Sequence, residues 1–283
     1  MKLIQQSAEL WEQPEGEIGI YKAIERAARI CYKSEDKITE DSYKRFMGML
    51  SEKGHNSPLE HGTVYLVTTT TNADIIYKYS RNPYSKIDTY GPLVPGDYNT
   101  TQYCITTNLR VIKENSWEDD LKYLCEPTEH HLKRRSVHII TNRSISHELV
   151  RHRAFSFCME SQRYCNYSKG KFDNEVTFII PTWVNTHCPN GEQKGPSTTD
   201  IIWSDACKEA ETSYIMLLQD GWKPQEAREV LPNSTKTELI MTGFDLDWKQ
   251  FFELRCSKAA HPMMRELANK IKDLIYAKRF NIC

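Results

Sequence analysis

Arg135 to Ser168 reads RSVHIITNRSISHELVRHRAFSFCMESQRYCNYS, and the order of patterns inside it decides the fold. Arg135 to Thr141 alternates through Val137, Ile139 and Ile140, which predicts a strand. A helix from about Ser144 to Arg151 follows without a linker. Arg151 to Ser168 is then the densest polar segment of the chain. Helices and strands stay mixed on both sides of this stretch, with no regular βαβ beat. The expected class is α+β, a mostly antiparallel sheet flanked by long helices.

Working upstream, Ile20, Ala23, Ile24, Ala27, Ala28 and Cys31 recur at helical spacing. A second helix runs from about Glu40 to Ser51, with Tyr43, Phe46, Met47 and Leu50 on one face, and Gly54 ends it. Thr63 to Thr71 is a β-branched run that reads as a strand. Asn82 to Asn99, rich in Gly, Pro, Asp and Tyr, reads as a loop. Gln102 to Thr107 is expected to be a short strand, and Ser116 to Cys125 a short helix with Ser116 as its N-cap. Downstream, Glu175 to Ile180 is a strand closed by Pro181, and Trp183 to Thr199, with Pro189, Gly191, Gly195 and Pro196, is a loop. Asp205 to Asp220 is an amphipathic helix closed by Gly221. Pro224 opens a short helix to Leu231. Thr235 to Met241 alternates like a strand, and Asp247 to Cys256 and Pro262 to Phe280 are the last helices.

The 283 residues carry 37 Lys plus Arg against 38 Asp plus Glu, a formal net charge of -1. That balance gives no global field for nucleic acid or for an anionic membrane, so phosphate binding must come from a local basic cluster. Met1 to Glu12 lacks the apolar run of a signal peptide, and no stretch is long and apolar enough for a spanning helix. The nine cysteines are odd in number and include no CxxC pair, which fits reduced thiols in the cytoplasm. His130, His131, His138, His147 and His152 offer no spacing suited to a metal, so no metal site is expected. Cys31, Cys104, Cys125, Cys207 and Cys256 are expected to pack as small apolar residues, and Met263 and Met264 to be core. Lys133-Arg134-Arg135 reads as a solvated turn before a strand.

The chemistry concentrates at Glu148-Leu149-Val150-Arg151-His152-Arg153. Glu148 and Arg151 are three apart and share a helix face. Arg151 and Arg153 bracket His152 at a helix end. Two guanidiniums that close repel each other unless an anion lies between them, and Arg presents bidentate donors to one. Ser156, Ser161, Arg163 and Tyr164 follow, and the hydroxyls with a third Arg suit a phosphate cradle. The bland alternative is a solvated basic helix end that answers the helix dipole, and composition alone favours it.

The full spacing changes that balance. Arg151-His152-Arg153, seven residues and then Ser161 resembles the RHRx7S signature of flavin-dependent thymidylate synthases. His55-Asn56-Ser57-Pro58-Leu59-Glu60-His61 is similar to that family's first flavin-contacting segment. Ala227-Arg228-Glu229-Val230-Leu231-Pro232 resembles its second nucleotide segment. Phe251-Phe252-Glu253-Leu254-Arg255, with His261 after it, resembles the third. Four segments in the family order span most of the chain, which reads as one domain over 1–283 with the family's own fold.

The resemblance implies reductive methylation of dUMP to dTMP. Methylenetetrahydrofolate would be the carbon donor, and FAD reduced by NADPH the hydride source. It implies a cytoplasmic homotetrameric flavoprotein with sites shared between subunits, and neither nucleic acid nor membrane as a partner. Cofactor contacts would fall on Ser57, Glu60, Arg151, His152, Arg153, Gln250 and His261. Substrate contacts would fall on Glu148, Arg151, Met159, Glu160, Ser161, Gln162, Arg163, Arg228 and Arg255. Arg255 would be the catalytic residue that favours the N3-deprotonated pyrimidine. Charge on that ring makes its carbon 5 nucleophilic. No cysteine attacks the pyrimidine in this family, so Cys158 and Cys165 are not assigned as nucleophiles.

Three departures stand out. Many members carry Asn-Glu where this chain has Cys158-Met159, and the acidic residue is shifted to Glu160. Phe244 and Leu246 occupy positions where the family usually carries an Asn and an Arg for FAD, and neither can make those hydrogen bonds. Roughly Tyr77 to His130 is longer than in compact members, and either caps the site or buries interface. Two other classes remain. One is a non-catalytic nucleotide-binding protein on the same scaffold. The other is a nucleic-acid module using Arg151, Arg153 and Arg163, which the near-zero net charge disfavours.

Overall fold

The computed structural model describes residues 1–92, 94, 96–97, 101–185 and 196–277. In chain order the regular elements are β1 (Lys2–Ile4), β2 (Ser7–Trp11), α1 (Gly16–Ile30), α2 (Ser42–Glu52), β3 (Thr63–Thr69), α3 (Ala73–Ser80), β4 (Lys86–Tyr90), β5 (Gln102–Asn108) and α4 (Leu109–Glu114). They continue with β6 (Arg134–Asn142), α5 (Arg143–Leu149), β7 (Ser156–Met159), β8 (Thr177–Ile179), α6 (Thr198–Gln219), α7 (Pro224–Ala227), β9 (Lys236–Phe244), α8 (Asp245–Arg255) and α9 (Pro262–Ala277). The class is α+β.

β9 organises the molecule. It is buried at nearly every position, as a strand covered on both faces must be. It lies between β6 and β7 in an antiparallel sheet of order β2-β6-β9-β7. Leu239 and Met241 of β9 pair with Ile139 and Val137 of β6. With Ile145 and Leu149 of α5, the aromatics of α8 and the apolar stripe of α9 they form the main core. Met263 and Met264 lie in that stripe, as expected. A second antiparallel sheet, β3-β5-β4, packs with α1, α2 and α4 around Val64, Leu66, Ile105 and Leu109. β1 and β8 form a separate parallel pair.

The first helix, the second helix and the strand at β3 fall where their patterns place them. Gly54, at φ +63°, closes α2, a conformation that costs glycine little. Several expectations need correction. The loop expected over Asn82 to Asn99 contains β4, whose Lys86-Ile87-Asp88-Thr89-Tyr90 pairs with β5. Its mostly exposed polar pattern hides an edge strand whose order comes from backbone pairing. Ser116 is not an N-cap: its φ is +57°, and a 3-10 turn over Glu118–Tyr123 follows. Lys133-Arg134-Arg135 is not a solvated turn, because Arg134 and Arg135 open β6 and pair with Phe244 and Gly243. The polar segment after Arg151 contains β7. α6 already starts at Thr198, capped by a reciprocal Ser197–Asp200 box. Pro189, Gly191 and Gly195 of the expected loop, and the expected end of the last helix at Phe280, lie outside the described residues. No helix among the described residues is long and apolar enough to cross a membrane.

Candidate active site

The turn carrying Arg151-His152-Arg153 is shaped by what it cannot bury. Asn142 caps α5 by accepting from Ile145 N at 2.8 Å. Its far end is pinned by Leu149, fully buried, and Phe155 follows in the same core. With apolar anchors on both sides, Arg151 and Arg153 face solvent. Neither has an ion pair with another described residue. Two exposed guanidiniums two residues apart, neither paired with a carboxylate, suit an anionic ligand.

α8 delivers Arg255 to the same place. Trp248, Phe251 and Phe252 point inward, and Arg255, four residues after Phe251, emerges at the edge of that face. The His152 ring packs edge-on against Phe251 at 5.0 Å. Arg255 Nε donates to His152 Nε2 at 2.8 Å, and Arg255 Nη1 reaches Glu148 Oε2 at 2.9 Å. His152 therefore accepts through Nε2 and carries its proton on Nδ1. Burial, followed by the Arg255 charge, pushes its pKa down to about 4. Arg255 joins Glu148 and His152, more than 100 residues away in sequence, in one hydrogen-bonded triad.

This triad makes a checkable statement. Nuclear magnetic resonance of the imidazole should show His152 titrating near 4, and Arg255→Ala should move it upward towards the ordinary histidine value. Because the folded pKa lies below the unfolded one, the neutral ring favours the folded state fully above pH about 6.5. That contribution falls as pH drops towards about 4. A His152 titration at its ordinary value would show that the triad does not form.

The other expected residues are carried mostly by other elements, and the Ser57–His61 turn packs against β7. β7 ends at Met159, and Glu160 N then donates to Glu238 O at 2.8 Å while Ser161 N donates to Cys31 O at 3.1 Å. Met159 packs against the main core. Gln162 is buried, whereas Arg163 is exposed over the Tyr164 ring. Glu160 is turned inward: Tyr167 Oη donates to Oε1 at 3.0 Å, and Lys236 Nζ lies 2.7 Å from Oε2. Arg228 follows α7, 3.6 Å from Glu229. Ser57 and Glu60 lie on a 3-10 turn locked by buried Leu59 and His61, and Glu60 pairs with Arg110 at 2.5 Å. Gln250 is exposed on α8, and the His261 ring meets Trp183 at 5.7 Å. Among the described residues no hydrogen bond or ion pair joins Ser57, Glu60 or Arg228 to the Arg255 triad.

Three residues escaped the sequence reading. Arg143, half-buried at the start of α5, has its pKa lowered by burial first and then by the nearby Arg228 charge. Lys33 and Lys236 both reach the Glu238 carboxylate, and Lys236 continues to Glu160. Arg143 sits on the same short helix as Glu148, which was the available signal; for the lysines, the contacts that join them, Lys33–Glu238 and Lys236–Glu160, link residues distant in sequence. The Cys158 thiol is buried, and its bond with Cys31 and its burial push it well above the usual thiol range. That suits packing and not nucleophilic attack. Among the described residues no cluster of His, Cys, Asp or Glu could hold a metal.

The donor set fits an anionic flavin cofactor only in part. Arg151 and Arg153 are uncompensated cations, and His261 Nδ1 is buried without a partner. Phe244 and Leu246 supply no polar side chain. Phe244 is buried beside the Arg134 guanidinium, 5.6 Å from its ring, and Leu246 is exposed.

An α+β scaffold that presents arginines at helix ends, with a neutral histidine and a carboxylate hydrogen-bonded to one of them, is suited to anionic ligands. Residues 125–278 match the thymidylate synthase complementing protein family, and the chain belongs to it. The chain is 30% identical to the flavin-dependent thymidylate synthase of Geobacter sulfurreducens over 134 residues, 47% of this chain and 52% of that protein. It is 31% identical to that of Thermococcus kodakarensis over 134 residues, 47% and 50% of the two chains. The aligned part thus spans about half the length of these relatives. Among solved structures, the UMP/dUMP methylase PolB from Streptomyces cacaoi bound with 5-Br UMP aligns over 98% of this chain and 92% of its own. Its identity is 18% and the TM-score 0.45.

Proposed function

We propose that the chain is a flavin-dependent thymidylate synthase that methylates dUMP to dTMP, with methylenetetrahydrofolate as carbon donor and NADPH as reductant. The observation that carries this reading is the Arg255–His152–Glu148 triad beside the uncompensated Arg151 and Arg153. Bound FAD would supply the hydride that completes the methyl group.

The chain's own residues do the rest. Arg255, fixed through Nε and Nη1, keeps its remaining donors for the pyrimidine. A guanidinium there lowers the cost of losing the N3 proton, and the resulting ring charge raises electron density at carbon 5. His152, being neutral, orients Arg255 without adding a competing cation. Arg151 and Arg153 hold the flavin, and Arg151 also reaches the nucleotide. Ser161, Arg163 and Arg228 hold the phosphate. The family resemblance supports a homotetramer with shared sites, each chain contributing one domain and the 77–130 excursion lying at the site or an interface.

The decisive assay is release of tritium from carbon-5-labelled dUMP, with FAD, NADPH and methylenetetrahydrofolate present. Release that needs added or bound FAD, with a flavin spectrum in the purified protein, is the expected result. Phe244 and Leu246 favour a second reading, a nucleotide-binding protein without catalysis. In that case dUMP binds while neither flavin retention nor tritium release appears.

A further inference from the structure

Beneath the 159–163 loop runs a buried series of alternating charges. Lys33 Nζ lies 2.8 Å from both carboxylate oxygens of Glu238. Lys236 Nζ contacts the same carboxylate and continues to Glu160 Oε2 at 2.7 Å. His138 Nε2 approaches Glu238 Oε2 at 3.3 Å, and Glu35 meets Lys33 at 2.9 Å. The Glu160 side chain is wholly inaccessible, and those of Glu238 and Lys236 are 8% and 11% exposed. Burial alone would raise the Glu238 pKa, but the His138 bond and the two lysine charges outweigh it and hold the carboxyl well below the usual range.

Charges this deep are a poor route to stability, because desolvation opposes the attraction, and they are better understood as devices for specifying one arrangement. What they specify here is the loop. Burial alternates along Cys158, Met159, Glu160 and Ser161, in and out by turns. Anchoring Glu160 inward therefore turns Ser161 outward. The same loop is tied to the end of α1 by Ser161 N and Cys31 O, two residues before Lys33. Lys33 itself holds φ at +49°, a strained value for a residue with a Cβ. Its side chain reaches Glu238 from that conformation.

We propose that Lys236 and Lys33 are positioning residues. Acting through Glu160 and Glu238, they fix the face on which Ser161 and Arg163 meet the substrate phosphate. Glu160 on this view is an anchor of the loop and not itself a substrate ligand. The proposal rests on dUMP being the substrate, and its test separates the two ideas.

The full chain is titrated with dUMP in the presence of FAD, and amide hydrogen exchange is measured without nucleotide. Lys236→Met should weaken dUMP binding about tenfold or more. KM should rise in step while kcat stays within about threefold. Exchange should speed up over 158–165 and remain unchanged in α9. Lys236→Arg should restore affinity. If Lys236→Met does not fold, the double variant Glu160→Gln/Lys236→Met, which leaves no unpaired buried charge, should show the same loss. Wild-type affinity in the folded single or double variant overturns the proposal. So does unchanged exchange over 158–165, a result that stands whether or not the wild-type protein binds dUMP. Absence of dUMP binding in the wild type, with faster exchange in the variant, would instead remove the proposed substrate.

Discussion

Arg255→Ala is expected to lower kcat/KM for dUMP by about 10²- to 10³-fold, the size seen when one preorganised donor facing developing charge is removed. The side chain is 22% exposed and its partner Glu148 28% exposed. The pair is partly buried, so its loss also costs stability. Urea unfolding of the variant, measured beside turnover, separates that cost from the loss in the chemical step. Two losses combine. The guanidinium proposed to favour the deprotonated ring is gone, and His152 and Glu148 lose their shared hydrogen-bond partner. Arg255→Lys keeps a charge but not the planar fork that binds Nε to His152 and Nη1 to Glu148 together, so it should recover only a small part. Tritium release from carbon-5-labelled dUMP reads the effect directly. Undiminished release by Arg255→Ala would remove Arg255 from the chemistry.

The candidate site came from a signature that ties residue types to a fixed spacing. Arg151, His152, Arg153 and Ser161 are close in sequence, and their flanking apolar residues, Leu149 and Phe155, dictate which side chains face outward. Arg255 became a candidate through the resemblance of Phe251-Phe252-Glu253-Leu254-Arg255 to the family's third segment. The Glu148–Arg255 contact joins residues 107 apart, and no local pattern announces it. Lys33 and Glu238 are 205 apart, so a charged residue on a β-branched strand looked like an ordinary solvent-facing position. Among elements, those with an apolar period were found, such as α1 and the strand at β6. β4 and β7 were not. The four residues of β7, Ser156-Phe157-Cys158-Met159, are too few to show a period, and pairing with β9 defines them. The polar pattern of β4 is that of an edge strand, where hydrogen bonding with β5 replaces burial.

Trp248→Ala should be the most damaging core substitution, costing about 3–5 kcal/mol in urea unfolding. The indole is fully buried. It stands edge-on to Phe155 at 4.7 Å and to Phe251 at 5.6 Å, lies stacked with Phe252, and donates Nε1 to Arg135 O at 3.3 Å. Truncation empties the centre of that aromatic cluster and leaves a backbone carbonyl of β6 without its donor, two penalties of different origin. Leu246→Ala, two residues away but 71% exposed, should stay within about 0.5 kcal/mol of the unchanged protein. A Trp248→Ala protein within 1 kcal/mol of the parent (roughly a tenth of a typical domain's stability) would mean that the cluster is not the support assigned to it. Where the variant still folds in the cold, the consequence should reach the site. Phe155 closes the Arg151–Arg153 turn and Phe251 backs the His152 ring, so removing the residue that packs both should loosen flavin and nucleotide binding together.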